Sequence, residues 1–523
     1  MEAGFFEWGK SIIVILFFPK GTGQCRRRPY TGAPHQARAI TVTSLVNDTR
    51  RRVSTGGIKM AFGESLRETG HSYGLRKEAL SPVETLAQSI SAVCPTLTPF
   101  FTVPLAFTLA GNATWLAYVF ATGGTLLVAW CISRFARYCA SPGSLYSYAD
   151  MILPPWLATV TGWSLLLAYL GGSASAIGGF YYYSNVLLRN AVGRELLVLL
   201  LAAIVTGVPV WLACRNVKIS ARVMLAIEAT SVSLVCGVLA LVLWRHGFHG
   251  DPDQLHLRGT TVGGFRQGLV LAMYSFAGFD GATTMGAEAR NPLRSIPRAV
   301  IQTAIFCGVF FTVCAYVQVL GMRMAGQDLG TANLPMHVLA GIGGIPALGF
   351  VIDVGALFAL FAGILACVTG AARLLLMLAH KGVAHASMKT THPRYGTPTA
   401  AVIAAGLAIL LPVIVLAAMG ASGLDVYGWF GALGTYGFTV SYALVCYALP
   451  GYLRERHGQT TLATMTLPWL AFAAMIAVLL SNLYPVPEGV YGKLPYLFLA
   501  YLGTVLMLFA FRSRAKLPEP EES

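Results

Sequence analysis

The sequence predicts an all-α integral membrane protein of about twelve transmembrane helices, built as two five-helix halves plus an appended pair, with discontinuous first and sixth helices. Three observations carry that expectation. The 523 residues are 55% hydrophobic and only 11% charged, with a mean hydropathy of +0.64, well outside the usual range for soluble domains. Apolar runs of roughly 20 residues recur, each long enough to cross a hydrocarbon core about 30 Å thick while satisfying its own backbone hydrogen bonds. Barrel strands would be shorter and would alternate in polarity. Two of the runs, at corresponding places in the two halves, are interrupted by residues that break helices.

Taken in order, residues 1–80 form a basic, polar segment without periodicity, "QCRRRPYTGAPHQARAITVTSLVNDTRRRVSTGG" at its centre, and are expected to be disordered. The earlier run "SIIVILFF" is too short to span. Glu2 and Glu7 spoil the basic region that a signal peptide needs. Met60 opens a more ordinary cytoplasmic start, so residues 1–59 are read as extra upstream sequence. Spans follow at about 84–109, 113–135, 157–187, 195–213, 219–243, 265–288, 298–321, 346–378, 397–418, 425–449, 464–483 and 492–511. A two-part core is thus expected over 81–449, its halves over 84–243 and 265–449, two further helices over 450–512, and a tail over 513–523. With both ends cytoplasmic, the inner gaps hold more Lys and Arg than the outer ones, as the positive-inside bias requires.

The first interruption is "AQSISAVCPTLTPFFTVPLAFTLAG", where Pro95, Pro99 and Pro104 each lack a backbone donor, so no unbroken helix is expected through Cys94 to Pro99. The second is "YSFAGFDGATTMGAEARNP", Tyr274 to Pro292, with Gly278 and Gly281 on either side of Asp280. Glycine costs about 1 kcal/mol against alanine inside a helix, and carbonyls freed in lipid need other partners. A broken helix offers bare N–H donors at one half-helix end and bare carbonyls at the other. A zwitterion needs both. Paired breaks point to inverted repeats around a solute site at the bilayer midplane; the competing reading, kinks for packing, applies better to one break than to two.

The net charge of +15 does not argue for nucleic acid, because the basic residues cluster in the amino-terminal segment and in the gaps between spans. Only Cys25 of the ten cysteines lies clearly outside the membrane-associated region, no spacing suggests a metal or redox site, and the ten histidines fall in gaps or tails. The cysteines read as small packing residues. No cofactor and no metal are expected, and an enzyme is disfavoured because no catalytic pair or metal cluster falls at helical spacing. With no GxxxxGK[ST] loop, energy must come from an ion gradient or from exchange.

"SFAGFDGATTMGAEARNPLRSIPRAV" resembles the sixth-helix signature of the amino acid–polyamine–organocation (APC) superfamily. "SPGSLYSYADMILPPWLATVTGW", "NVKISAR", "ARLLLMLAHKG" and "HPRYGTPTAAV" extend the resemblance over about residues 80–512. It implies a permease with a LeuT-like 5+5 inverted repeat. It also implies a substrate carboxylate near Val93, Cys94, Pro95, Thr96 and Thr98, an amino group near the carbonyls of Phe276, Ala277, Gly278 and Phe279, and a wall or lid from Phe276, Phe279 and Trp429. One departure is clear: relatives carry a glycine-serine-glycine run in the first helix, and this chain has "AVCPTLTPFF".

A charge in mid-membrane costs several kcal/mol and usually faces a cavity or a partner. Glu228, about two turns past Arg222, is therefore a candidate proton carrier, with a structural hydrogen-bonded glutamate as the alternative. Asp280 either fixes the unwound backbone or contacts a substrate ammonium. Glu288 matches a superfamily position at the cytoplasmic end of the broken helix that makes structural or gating ion pairs, with Arg290 or the arginines of the first cytoplasmic gap as expected partners. Asp353 and Asp425 read as helix caps, and "LAYLGGSASAIGG" as close-packing residues, with Tyr169 within reach of the pocket. The expected activity is proton-coupled movement of amino acids or related amines across the bilayer of the cell membrane. Exchange is the second reading, sodium coupling through Thr369 a weaker one, and a non-transporting sensor the alternative of another class.

Overall fold

The computed structural model describes residues 73–193, 197–246, 249–332, 334–457, 461–484 and 489–514. The expectations for residues 1–72 and for the terminal tail after 514 lie outside the described residues. Within them the chain is helical, and the one isolated bridge joins Leu80 to Ala289.

Helix α1, Pro82–Val93, starts on a capping box: the Glu84 N–H donates to Ser81 Oγ (3.3 Å) and the Ser81 N–H donates to Glu84 Oε2 (2.9 Å). After an interruption the chain resumes as a π turn, Thr98–Thr102, and α2, Val103–Ala110. Then come α3 (Thr114–Ala136), the short α4 (Ser144–Asp150), α5 (Pro155–Val192), α6 (Val198–Arg215), α7 (Val217–His246), α8 (Pro252–Leu255) and α9 (Val262–Tyr274). The second part holds α10 (Pro292–Met324), α11 (Pro335–Ile342), α12 (Pro346–His380), α13 (Thr399–Ala418), α14 (Gly423–His457), α15 (Leu462–Ser481) and α16 (Leu494–Arg514).

Ten stretches among the described residues are long and apolar enough to cross a membrane. Two differences from the predicted twelve explain the lower number. Pro82–Ala136 reads as one 55-residue stretch where the sequence divides it near Gly111, and the predicted sixth span, 265–288, is helical only to Tyr274. Thirteen residues of α9 rise about 20 Å, too little to cross.

Large apolar side chains on the outer surface, such as Phe120, Trp211 and Phe358, are more than half exposed, a cost in water that a bilayer removes. The most enclosed helices are α5, α12 and α14, whereas α15 and α16 sit at the edge. Helices α5 and α14 meet backbone to backbone: a Cβ on Gly171 would lie 2.9 Å from the Gly434 nitrogen and the Phe430 oxygen, and one on Gly437 would lie 2.9 Å from the Ala168 nitrogen. The small-residue run of α5 is therefore a packing surface.

Candidate functional site

Both predicted interruptions exist, and they touch. At the first, Cys94 takes a left-handed conformation (φ 54°) and its N–H donates to the Ile90 carbonyl (3.0 Å), ending α1. The next turn is held by the Leu97 N–H on the Cys94 carbonyl (3.0 Å) and the Thr98 N–H on the Pro95 carbonyl (3.3 Å). Pro95 and Pro99 have no N–H to continue a helix. The Pro99 carbonyl instead accepts from Gln318 Nε2 of α10 (2.7 Å), the outside partner that a freed carbonyl in an apolar setting requires.

At the second, the chain leaves α9 after Tyr274 and runs through turns and a 3₁₀ turn, Gly281–Met285, to Asn291. Gly278 has φ +93°, and a Cβ there would stand 2.7 Å from the Ala92 carbonyl oxygen of α1. Only glycine fits both the conformation and the approach. A Cβ on Gly281 would lie 2.9 Å from the Gln88 oxygen, and the Ala282 N–H donates to Ser89 Oγ (2.7 Å). The second broken segment thus rests directly on the last turns of α1.

Where the breaks meet α5, α12 and α14 there is a cavity of about 70 Å³. Val93, Cys94 and Thr98 line it from the first break, Tyr274, Ser275 and Ala277 from the second, Gly172 and Ser175 from α5, Gly363 and Cys367 from α12, and Tyr427 and Phe438 from α14. Of the predicted substrate residues, Val93, Cys94, Thr98 and Ala277 reach this cavity. Phe276 and Phe279, with Ala277, line a neighbouring one of about 20 Å³. Pro95, Thr96, Gly278, Asp280 and Trp429 line neither of the two.

Asp280 is completely buried, and its two oxygens accept from Tyr442 Oη (2.7 Å) and Tyr169 Oη (3.0 Å). Tyr442 Oη also accepts the Gly278 N–H (3.2 Å), so the carboxylate holds the unwound backbone through a tyrosine. That geometry favours the fixing role over the ammonium contact. It places Tyr169 on Asp280 and outside the lining of the cavity. Glu228 of α7 is 2% exposed; Oε2 accepts from Thr96 Oγ1 at the first break (3.2 Å), and Oε1 has no hydrogen-bond partner among the described residues. Thr96 thus bonds Glu228 and lines neither cavity.

Two expectations are corrected. Glu288 pairs with neither Arg290 nor the first-gap arginines: Arg373 of α12 grips it, Nε to Oε2 at 2.5 Å and Nη2 to Oε1 at 3.1 Å, both side chains fully enclosed. Arg290 instead donates to the Glu78 carbonyl. Asp353 is no cap but a buried carboxylate inside α12, accepting from Tyr183 Oη (2.6 Å) and paired with His337 Nδ1 (2.7 Å). Helix α12 begins at Pro346, seven residues earlier, too far for an N-terminal carboxylate to serve as a cap. Asp425 does serve at its helix start, accepting from the Ser422 N–H and hydroxyl (3.0 and 2.6 Å). Arg373 escaped notice despite a usable signal, a lone arginine inside the apolar run "TGAARLLLMLAH". Tyr442 and Gln318 are uncharged and carry no such mark on their apolar spans.

The amino acid permease family matches residues 85–521. A cationic amino acid transporter 3, mitochondrial, of Arabidopsis thaliana is 25% identical over 59% of this chain and 54% of its own length. The branched-chain amino acid permease BcaP of Bacillus subtilis (strain 168) is 24% identical over 55% of this chain and 64% of its own length. The low-affinity putrescine importer PlaP of Escherichia coli (strain K12) is 26% identical over 57% of this chain and 66% of its own length. The chain thus spans between about half and two-thirds of the length of these relatives. With a match that covers most of its residues, the chain belongs to the amino acid permease family.

Proposed function

We propose that this multi-pass membrane protein is a secondary active permease that moves amino acids or related amines by alternating access between two half-broken helices. The observation that carries the reading is the contact of the two discontinuities beside one shared cavity. The interrupted ends of two helices converge there, and their oriented backbone dipoles are the element that would bind a zwitterion. On this reading α1 to α7 and α9 to α14 are the two inverted halves, 84–243 and 265–449, within a twelve-span chain whose ends are cytoplasmic. Helices α15 and α16 supply the appended pair over 450–512.

Proton coupling through Glu228 is part of the proposal. One oxygen is engaged by Thr96 at the first break and the other has no partner, so a proton on Oε1 would change the hydrogen bonding of the site. Substrate exchange uses the same cavity without Glu228 and is the second reading. The test is counterflow of labelled amino acids in proteoliposomes. Accumulation driven by unlabelled solute on the other side is expected, and its absence for every amino acid and amine tried overturns carrier activity. A thermal-shift screen with the twenty amino acids and common polyamines, at two pH values, gives a parallel readout of binding.

A further inference from the structure

We infer that the solute is a small, electrically neutral amino acid of about the size of glycine, alanine or serine, and that the site rejects lysine, arginine and diamines. This rests on the permease reading above and specifies its substrate. Three observations carry it.

The first is size. A cavity of about 150 Å³ admits benzene, whereas this one measures about 70 Å³, roughly half of that. The second is charge. No Asp, Glu, Lys or Arg side chain lines the cavity; its polar groups are hydroxyls and thiols, among them those of Thr98, Ser175, Cys94 and Cys367. Asp280 has both oxygens on tyrosines, and Glu228, which Thr96 engages through one oxygen, is also absent from the lining. A second ammonium or a guanidinium in this space would be buried with no counter-charge, and buried charges persist only when paired. The α-ammonium and α-carboxylate of a zwitterion differ, because the two broken helices present oriented backbone dipoles to them.

The third is rigidity. The wall opposite the breaks is a backbone-to-backbone seam of α5 and α14, where the imagined Cβ atoms of Gly171 and Gly437 already meet main-chain atoms at 2.9 Å. Widening it means separating two main chains instead of turning a side chain. The size limit is therefore set by the backbone. Gly172 is the handle for testing it, because a Cβ there meets only Cys367 Sγ at 3.6 Å, ordinary contact, and so narrows the cavity without strain.

The experiment measures uptake of labelled glycine, alanine, serine, leucine, lysine and putrescine by the full chain in proteoliposomes, for the wild type and Gly172→Ala. In the wild type, glycine, alanine or serine is expected to be preferred over leucine, lysine and putrescine by at least about tenfold in kcat/KM, the discrimination that one or two misplaced methylenes can give. Gly172→Ala, checked for an unchanged melting temperature, is expected to keep glycine and to lose alanine and serine severalfold. Lysine or putrescine carried as well as alanine, leucine preferred over alanine, or a Gly172→Ala variant that folds and keeps the wild-type ratios overturns the inference while leaving the permease reading intact. Uptake of none of the six, with no exchange of any other amine, overturns the permease reading and this inference with it.

Discussion

Replacing Glu288 with glutamine should reveal how much the buried pair with Arg373 contributes. The guanidinium spends two of its nitrogens on the carboxylate, at 2.5 and 3.1 Å, and a third on the Thr369 carbonyl at 3.0 Å. The side chains are 0% and 2% exposed, so no water replaces what is removed. Glu288→Gln leaves a full positive charge buried without its partner, which costs about 3–5 kcal/mol, a large part of the ~5–15 kcal/mol that typically holds a folded chain together. Glu288→Leu/Arg373→Met removes both charges and should recover most of the loss, because a well-packed apolar replacement of a buried pair is often close to neutral. Equilibrium unfolding in mixed micelles, run on both singles and the double, gives the coupling energy directly. A Glu288→Gln protein within about 0.5 kcal/mol of wild type, or additive singles, would refute the claim that this pair fixes the end of the second broken segment to α12.

Gly278→Ala should cost about 1–3 kcal/mol in backbone strain alone, with a further clash at the Ala92 carbonyl, and should lower uptake at least tenfold. Gly263→Ala, where nothing lies within 4 Å, is the control, and equal loss in both would discredit the contact. Tyr442→Phe strips one partner from Asp280 and the acceptor from the Gly278 N–H, an expected loss of about 1–3 kcal/mol in the same unfolding assay. A neutral effect would show that the tyrosine does not hold the break. Glu228→Gln should remove the response of uptake to an imposed proton gradient while leaving exchange in place; an undiminished response would take coupling away from this residue.

Much of the arrangement was legible because lipid simplifies the code. Single prolines such as Pro209 and Pro412 are carried inside intact helices, but the clustered prolines at 95 and 99 and the glycines at 278 and 281 mark loss of helix, and both breaks fall there. Their consequences for partner side chains were not legible. Arg373 reaches Glu288 across 85 positions of sequence and Tyr442 reaches Asp280 across 162, pairings fixed by how α12 and α14 pack and not by local spacing. Asp353 misled for a related reason. The predicted start at 346 matches α12, but Asp353 lies seven residues inside it, beyond the reach of a cap, and a tyrosine and a histidine from other elements enclose it. Thr96 fell within the expected binding stretch, yet a left-handed residue at Cys94 turns the chain so that Thr96 meets Glu228.

The most direct measurement is hydrogen–deuterium exchange of the purified chain with and without a solute that it carries. Peptides covering residues 92–98 and 275–281 should both exchange more slowly when the solute is added, since the account gives each unwound segment a share in holding it. Protection confined to one of the two, or found only elsewhere while uptake of the same solute is intact, would contradict the shared site between the broken helices.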